Sequence, residues 1–358
     1  MTMTRPHHLS PSIETARVAL VYKAPPDQGY SPTGLGRTAA GTVKALRSSG
    51  IWAEVWGCVS GEALLARLRA ADVASSKRGL APPTHVVVYA PWIPTDEVQS
   101  MAVEFSEVSF IVTSHSNFGF LAADPHAVKL MRETAELQLG HHNIYVGGNC
   151  EKFTRAASQI LGVNVVWIPN LMDLDEHLPT PRRHTPGDVL RLGLFGAARI
   201  LKNGLTAAAA AVELASMMRV PVELHINTGR DEGGTVYAIE ELLDGVPNLT
   251  LVNDGWVDWP KFQGLLQHMH LVLQPSFTES FNCVVAEAIK NGVPAVGSEA
   301  IEWLPPRWQA NADDVGDVAR VAEYLLRSPT AIDDGRLALA RYMSTGLQRW
   351  RDFLCPAR

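Results

Sequence analysis

Two carboxylates eight positions apart, Glu279 and Glu287, stand in the chemically richest stretch of this 358-residue chain, Pro275-Ser276-Phe277-Thr278-Glu279-Ser280-Phe281-Asn282-Cys283-Val284-Val285-Ala286-Glu287. An apolar run at 271–273 precedes it, and a second follows Gly292 and Pro294. Strand, polar loop, helix and strand in that order make one βαβ unit. In such a unit a ligand sits beyond the carboxyl end of the strand, against the first amides of the helix, where unpaired N–H groups and the helix dipole favour an anion. Segment 275–282 is therefore a candidate phosphate cradle. Glu279, before the helix, can reach a neutral hydroxylated group; Glu287, two turns in, can accept from a ribose hydroxyl. A carboxylate directly beside a phosphate would repel it, so two acids serving one phosphorylated ligand need this separation. The same pattern also fits an amphipathic helix with a solvated Glu at each end.

A second constellation is cationic. Phe195-Gly196-Ala197-Ala198-Arg199-Ile200-Leu201-Lys202-Asn203-Gly204 follows an apolar run and precedes an alanine-rich helical stretch. Arg199 could hold a diphosphate by a bidentate fork and Lys202 as a point charge. Two solvated cations at a helix N-terminus are the plainer reading, though slightly unfavourable against the dipole. Near the amino terminus, Gly34 and Gly36 sit between the first strand and the first helix, where glycine lets backbone approach a ligand closely. They do not form a dinucleotide fingerprint, because the third glycine is missing. His115 ends a strand; by itself, a single His there fits a structural role. Asn117, Phe118 and Phe120 follow it and either shape an acceptor site or cap the helix behind them. Trp256 either stacks on a base or packs against the neighbouring helix.

The elements that must position these residues alternate. Strands are expected at 16–22, 51–56, 85–89, 109–113, 143–146 and 163–168, with helices at 37–49, 125–140 and 151–161, the order of a doubly wound parallel sheet. Segment 178–188, rich in Pro, Arg and Gly and without periodicity, reads as a linker. The alternation restarts with strands at 190–195, 222–226 and 249–253 and helices at 205–218, 235–243 and 259–268. A final helix at 333–354 ends with Trp350 and Phe353.

The Glu279 to Glu287 stretch resembles the E-x7-E motif of retaining GT-B glycosyltransferases of the GT4 class, and Gly292-Val293-Pro294-Ala295-Val296 resembles that family's G-x-P-V-V run. Ile168-Pro169-Asn170 through Asp173 resembles the segment that closes its first domain. The resemblance implies an α/β GT-B architecture: two Rossmann-like doubly wound domains facing a cleft, with a C-terminal helix crossing back. Residues 1–180 would be the acceptor domain, 181–330 the donor domain, and 331–358 the returning helix. It also implies roles: Glu279 at the sugar hydroxyls of a nucleotide-sugar donor, Glu287 on the ribose, and the amides near Phe281 and Asn282 at the diphosphate. Arg199 and Lys202 would neutralise the donor phosphates, although their spacing is shorter than the family's G-R-x-x-x-x-K-G segment. Gly34 and Gly36 would lie across the cleft from the donor phosphate. His115 would serve at the sugar end, and Asn117 and Phe118 at the acceptor. The reaction implied is metal-independent hexosyl transfer with retention, a UDP-sugar as co-substrate and no further cofactor, with closure about the linker excluding water. A weaker resemblance to transferases carried by bacterial viruses, through 225–233 and Glu302-Trp303, points to a 5-hydroxymethylated pyrimidine of DNA as acceptor. A cell-surface glycan or small molecule is the alternative, and a non-catalytic sugar-nucleotide-binding protein a third.

Composition bounds these readings. The length suits two average domains, and 46% hydrophobic residues suffice for two buried sheets. No apolar run approaches the roughly 18 residues a spanning helix needs, so no membrane insertion and a cytoplasmic location are expected. Four dispersed cysteines signal neither a disulfide framework nor a zinc site. A net charge of -6 argues against a surface that binds nucleic acid as a whole, while Lys77, Arg78, Lys129, Arg132 and 182–184 remain candidate phosphate contacts. No D-x-D follows an apolar strand in the usual metal-binding context; Asp313-Asp314 and Asp333-Asp334 read as surface turns.

Overall fold

The computed structural model describes residues 15–24, 34–78, 81–174, 179–185, 187–227 and 229–356, and the chain divides into two compact units. The first gathers Met1–Ser116, Ala123–Asp173 and Met343–Arg358; the second gathers Asn117–Ala122 and Leu174–Tyr342. The changeover thus falls after Asp173 rather than at 180. Segment 25–33, most of the proline- and glycine-rich stretch before Gly34, lies outside the described residues, as do the side chains of Lys77 and Arg78.

The first unit is built on β1 (Arg17–Lys23), β2 (Trp52–Cys58), β3 (His85–Tyr89), β4 (Ser109–Ser114), β5 (Ile144–Gly148) and β6 (Val166–Trp167). They form one sheet in the order β2-β1-β3-β4-β5-β6, every pairing parallel. A parallel sheet covered on both faces needs strands apolar on both faces. β3 meets this with His-Val-Val-Val-Tyr, buried at every position. Around it run α1 (Gly34–Ser48), α2 (Gly61–Arg78) and α3 (Thr95–Glu104). The short α4 (Phe118–Leu121) belongs to the second unit, and α5 (Pro125–Gly140) and α6 (Glu151–Leu161) return to the first. α6 stops at Gly162, whose φ of 68° supplies the left-handed cap. One face of the sheet packs Trp56, Leu64, Leu68, Met101, Phe110 and Ile144 into a single core.

Two differences from the sequence reading have local causes. α1 begins at Gly34 instead of 37, because the Thr38 hydroxyl donates to the Gly34 carbonyl at 3.1 Å and fixes the first turn. Gly34 and Gly36 are consequently helical rather than part of a loop. α2 and α3 went unread, since α2 carries only a thin apolar stripe through Leu64 and Leu68.

The second unit holds β7 (Leu190–Leu194), β8 (Ala198–Arg199), β9 (Val222–Ile226), β10 (Asp231–Glu232), β11 (Leu249–Asn253), β12 (Leu271–Leu273), β13 (Ala295–Ser298) and β14 (Gln309–Ala310). Its main sheet runs β11-β9-β7-β12-β13-β14, and β8 pairs with β10 separately. Chain order therefore reverses direction between β7 and β12, the point where a doubly wound sheet opens a crevice. Its helices are α7 (Gly204–Met218), α8 (Thr235–Leu243), α9 (Trp259–His268), α10 (Cys283–Lys290) and α11 (Val315–Arg327). Asp313 lies in a turn, Asp314 caps α11, and Asp333 and Asp334 sit in the first turn of a helix rather than in a surface turn.

That helix, α12 (Ala331–Leu354), starts in the second unit and finishes in the first. Its last turns are held in the first unit: fully buried Trp350 donates Nε1–H to the Pro169 carbonyl at 2.9 Å, and Phe353 meets His85 edge-on at 5.5 Å. Among the described residues no helix is long and apolar enough to cross a membrane.

Candidate functional site

The crevice at the carboxyl ends of β7 and β12 collects both constellations of the sequence. After β7 the chain turns at Gly196, whose φ of 105° excludes a side chain, and its amide donates to Asn227 Oδ1 at 2.8 Å. It then places Arg199 and Lys202 ahead of α7. After β12 the loop 274–282 carries Glu279 to the start of α10.

These two loops are joined through Glu279. Lys202 Nζ lies 2.5 Å from Glu279 Oε1, and Asn282 Nδ2 donates to the same oxygen at 2.9 Å. The Glu279 side chain is only 4% exposed, against 25% for Lys202. A carboxylate so deeply placed must have its charge met locally, and an ammonium plus an amide do that here. Asn282 also reaches Gln274 Oε1 at 3.2 Å, while Gln274 Nε2 donates to the Phe195 carbonyl at 2.8 Å. A chain of amides thus ties the acid to the β7 loop. Asn282 holds a φ of 60° and accepts from the Val285 amide at 3.0 Å, capping α10. Asparagine suits this post because it tolerates left-handed backbone and supplies the cap.

Phe281 and Asn282 precede α10, and Phe281 is buried with its ring stacked on Tyr342 at 5.5 Å. Its carbonyl accepts from Trp303 Nε1 at 2.7 Å. Glu287, facing α9, is buried and accepts from Gln263 Nε2 at 3.3 Å. Burial, reinforced by the Glu287 charge, pushes the Cys283 thiol up to about 12, so it stays protonated at the head of α10.

Arg199 is engaged otherwise than the sequence suggested. Its Nε and second terminal nitrogen grip Glu232 at 2.7 and 3.1 Å, and that fork holds Glu232 below the usual carboxylate range. Arg230 reaches the same acid at 2.7 Å. Between Gly196, Arg199, Lys202, Asn227 and Gln274 remains a hollow of about 30 Å³. Residues 117–122 lie over these loops. Asn117 caps α4 by accepting from the Phe118 amide at 2.9 Å, and its Nδ2 approaches the Glu279 carbonyl at 3.5 Å. The Phe120 ring stands 5.6 Å from the Arg199 guanidinium and 5.7 Å from Lys202 Nζ. Phe118 is exposed. Trp256, 43% exposed, rests over Gly229, where a Cβ would come within 2.1 Å of it.

Glu279, Lys202, Asn282 and Asn117 therefore form one cluster, with Arg199 at its edge and Glu287 farther along α10. His115, Gly34 and Gly36 belong to the first unit. There the His115 ring lies 4.2 Å from that of Tyr89, and burial pushes its imidazole down to about 3, leaving it neutral. Sequence reasoning missed Gln274, Asn203 and Glu232. Asn203 adopts a φ of 59° and donates to the carbonyls of Pro275 at 2.9 Å and Ala312 at 2.6 Å, fixing the Lys202 turn. Its place between a cation and Gly204 was the available signal.

Comparison with known proteins meets this geometry. No curated protein sequence matches the chain. Solved structures share its fold at low identity. A sucrose-phosphate synthase from Thermosynechococcus elongatus superposes with a TM-score of 0.65 at 15% identity, covering 94% of this chain and 98% of that one. A UDP-forming α,α-trehalose-phosphate synthase from Burkholderia xenovorans gives 0.59 at 13%, covering 94% and 97%. HepE of Anabaena, in complex with UDP and glucose, gives 0.55 at 13%, covering 94% and 97%. The architecture is thus the GT-B one, with two Rossmann-like domains. The model of the family 4 glycosyltransferases in conflict systems matches residues 122–301, half of the chain, a span that holds the β7 loop, the β12 loop and α10. By that match the protein belongs to the family 4 glycosyltransferases of conflict systems.

Proposed function

We propose that the chain transfers a sugar from a nucleoside-diphosphate sugar, preferentially a UDP-sugar, to a hydroxyl acceptor, with retention of anomeric configuration and without a metal. The observation that carries this reading is the Lys202–Glu279 contact at 2.5 Å, at the point where β7 and β12 part. It sets an anion-binding cation and a hydroxyl-binding acid side by side, the pair a diphosphate joined to a sugar requires. Lys202, Arg199 and the first amides of α10 would take the charge that grows on the departing diphosphate. Glu279 would hold the sugar hydroxyls as the ring becomes oxocarbenium-like, and Glu287 the ribose. Neutral His115 would serve the sugar end, and Trp256 offers a face for the base. UDP is favoured because HepE carries UDP and glucose and the Burkholderia enzyme is UDP-forming.

Two acceptor classes meet this description: a 5-hydroxymethylated pyrimidine flipped from DNA, and a glycan or small molecule. Three of the candidate phosphate contacts have exposed protein partners. Lys129 pairs with Glu133 and Arg132 with Glu136 along an exposed face of α5, and Arg183 donates to the Pro329 carbonyl. Exposed pairs of this kind yield readily to a phosphate, so experiment must separate the two classes. The test is mass spectrometry of products after incubation with UDP- and GDP-sugars and three acceptors: hydroxymethylated DNA, plain DNA and neutral oligosaccharides. A hexose-sized gain on one acceptor supports transfer and names the class. Failure to consume any donor, with no binding of UDP, sinks the reading.

A further inference from the structure

The turn after β13 carries Glu302-Trp303, a pair that the reaction as proposed leaves unused. Trp303 is 9% exposed, and its Nε1–H donates to the Phe281 carbonyl at 2.7 Å. We infer that Trp303 is a positioning residue for the donor: it holds the peptide between Phe281 and Asn282 in the orientation that presents the Asn282 N–H to the diphosphate. This assignment rests on the donor reading above.

That peptide needs a holder. Asn282 keeps a φ of 60°, in the left-handed region that residues with a side chain populate least. A half-turn of the one peptide plane would return φ to negative values and leave both flanking side chains in place. In a trans peptide the C=O and the N–H point in opposite directions, so a Phe281 oxygen fixed on Trp303 commits the Asn282 N–H to the other side. The flipped peptide would instead set its N–H against the indole N–H, two buried donors face to face. The carbonyl also has no helical duty, because the Val285 amide that would reach it is taken by Asn282 Oδ1 at 3.0 Å.

The N–H so committed is left over. Asn282 is 4% exposed, yet among the described residues nothing accepts from its backbone N–H. A buried amide without a partner is rare, and this one stands at the head of α10, in the residue whose side chain donates to Glu279. The indole, in turn, is rigidly placed. The Ile301 amide donates to the Ser298 carbonyl at 3.1 Å, the Leu304 amide to the Ile301 carbonyl at 3.1 Å, and Gln309 Nε2 to the Leu304 carbonyl at 2.8 Å, which fixes the turn on both sides of Trp303. Its ring packs 5.7 Å from that of Phe281 and 6.0 Å from that of Tyr342, so packing aims the N–H.

Two variants of the full chain separate the N–H from the ring. Trp303→Phe keeps an aromatic side chain in the stack and removes the donor; benzothienylalanine at 303 keeps the whole indole shape, with sulfur in place of N–H. In both, calorimetry should show UDP binding weakened about tenfold, with the melting temperature within a few degrees of wild type. Crystals of the unliganded variants should show the 281–282 peptide turned over, with Asn282 at negative φ. In turnover the donor KM should rise while the acceptor KM holds. An unmoved peptide, UDP affinity equal to wild type, or an equal rise in both KM values would each overturn the assignment. A lowered melting temperature with UDP affinity kept would make Trp303 a packing residue and overturn it too. Wild-type binding of UDP with indifferent variants removes this role alone, whereas a wild-type chain that binds no UDP removes the donor reading and this role with it.

Discussion

The crevices of the two units follow one topological rule and are furnished in opposite ways. In the second unit, β7 and β12 part around charged groups: an ammonium, a buried acid and a relay of amides from Asn282 to the Phe195 carbonyl. In the first unit, where chain order reverses between β1 and β3, β3 ends in Tyr89, whose ring meets that of His115 just after β4; burial keeps both uncharged, the phenol raised and the imidazole lowered to about 3. Burial alone neutralises a titratable group, whereas burial with a charged partner leaves a pair that a ligand can break and share. Only the second arrangement is suited to an anion, which is why the crevice of β7 and β12 is the one we propose for the donor.

The largest expected effect follows from breaking that charged pair. Glu279→Gln keeps the shape and the contact with Asn282 but leaves Lys202 without its acid. Steady-state assays should show kcat lower by about 10²-fold or more, with UDP affinity kept or raised. Unchanged turnover would show that the acid is only a structural counter-ion and that the two crevices differ in appearance alone.

The neutral side is sharpened by pH. Buried His85 in β3, with Thr84 Oγ1 2.8 Å from Nδ1, is pushed from 6.5 down to about 4. Below 6.5 the unfolded chain binds a proton that the folded chain refuses. Stability is therefore full above that pH and falls as pH drops from 6.5 to about 4, by up to about 3 kcal/mol. Denaturant titrations of His85→Phe across this window should show a shallower acid limb. An identical limb would mean that the first unit is not where neutral histidines set the acid response.

Next comes Asn282, whose left-handed backbone glycine would adopt without strain. Asn282→Gly removes the amide from Glu279 and Gln274 and should cut turnover about tenfold while stability moves by about 1 kcal/mol or less. Loss of stability with full activity would make the residue a helix cap and nothing more.

Much of this comparison could be read before folding. Segments 249–253, 259–268 and 271–273 coincide with β11, α9 and β12, because short apolar runs and a Pro-started helix after Asp258 carry their own boundaries. The Glu279 loop was legible for the same reason: polar residues between an apolar strand and an apolar helix mark a ligand edge. The partners were not. Glu232 lies 33 positions from Arg199 and meets it only because β8 pairs with β10, two-residue strands without periodicity. Gln274 looks like the last residue of a strand until Asn282 folds back on it. α11 carries a usable signal, Asp314 capping a helix with Val318, Ala319, Ala322 and Leu325 inward.

That unread pairing carries the finest test. Arg199 can take a diphosphate only by leaving Glu232, since a guanidinium fork serves one bidentate partner at a time. The pair is partly exposed, its side chains at 31% and 43%, so it contributes little to stability. Glu232→Gln should therefore leave the melting temperature nearly unchanged, free Arg199 to turn toward the hollow beside Lys202, and raise UDP affinity by about threefold in calorimetry. Weaker UDP binding would instead mean that Glu232 holds Arg199 in its working position, and the second crevice would then be preset for its ligand rather than opened by it.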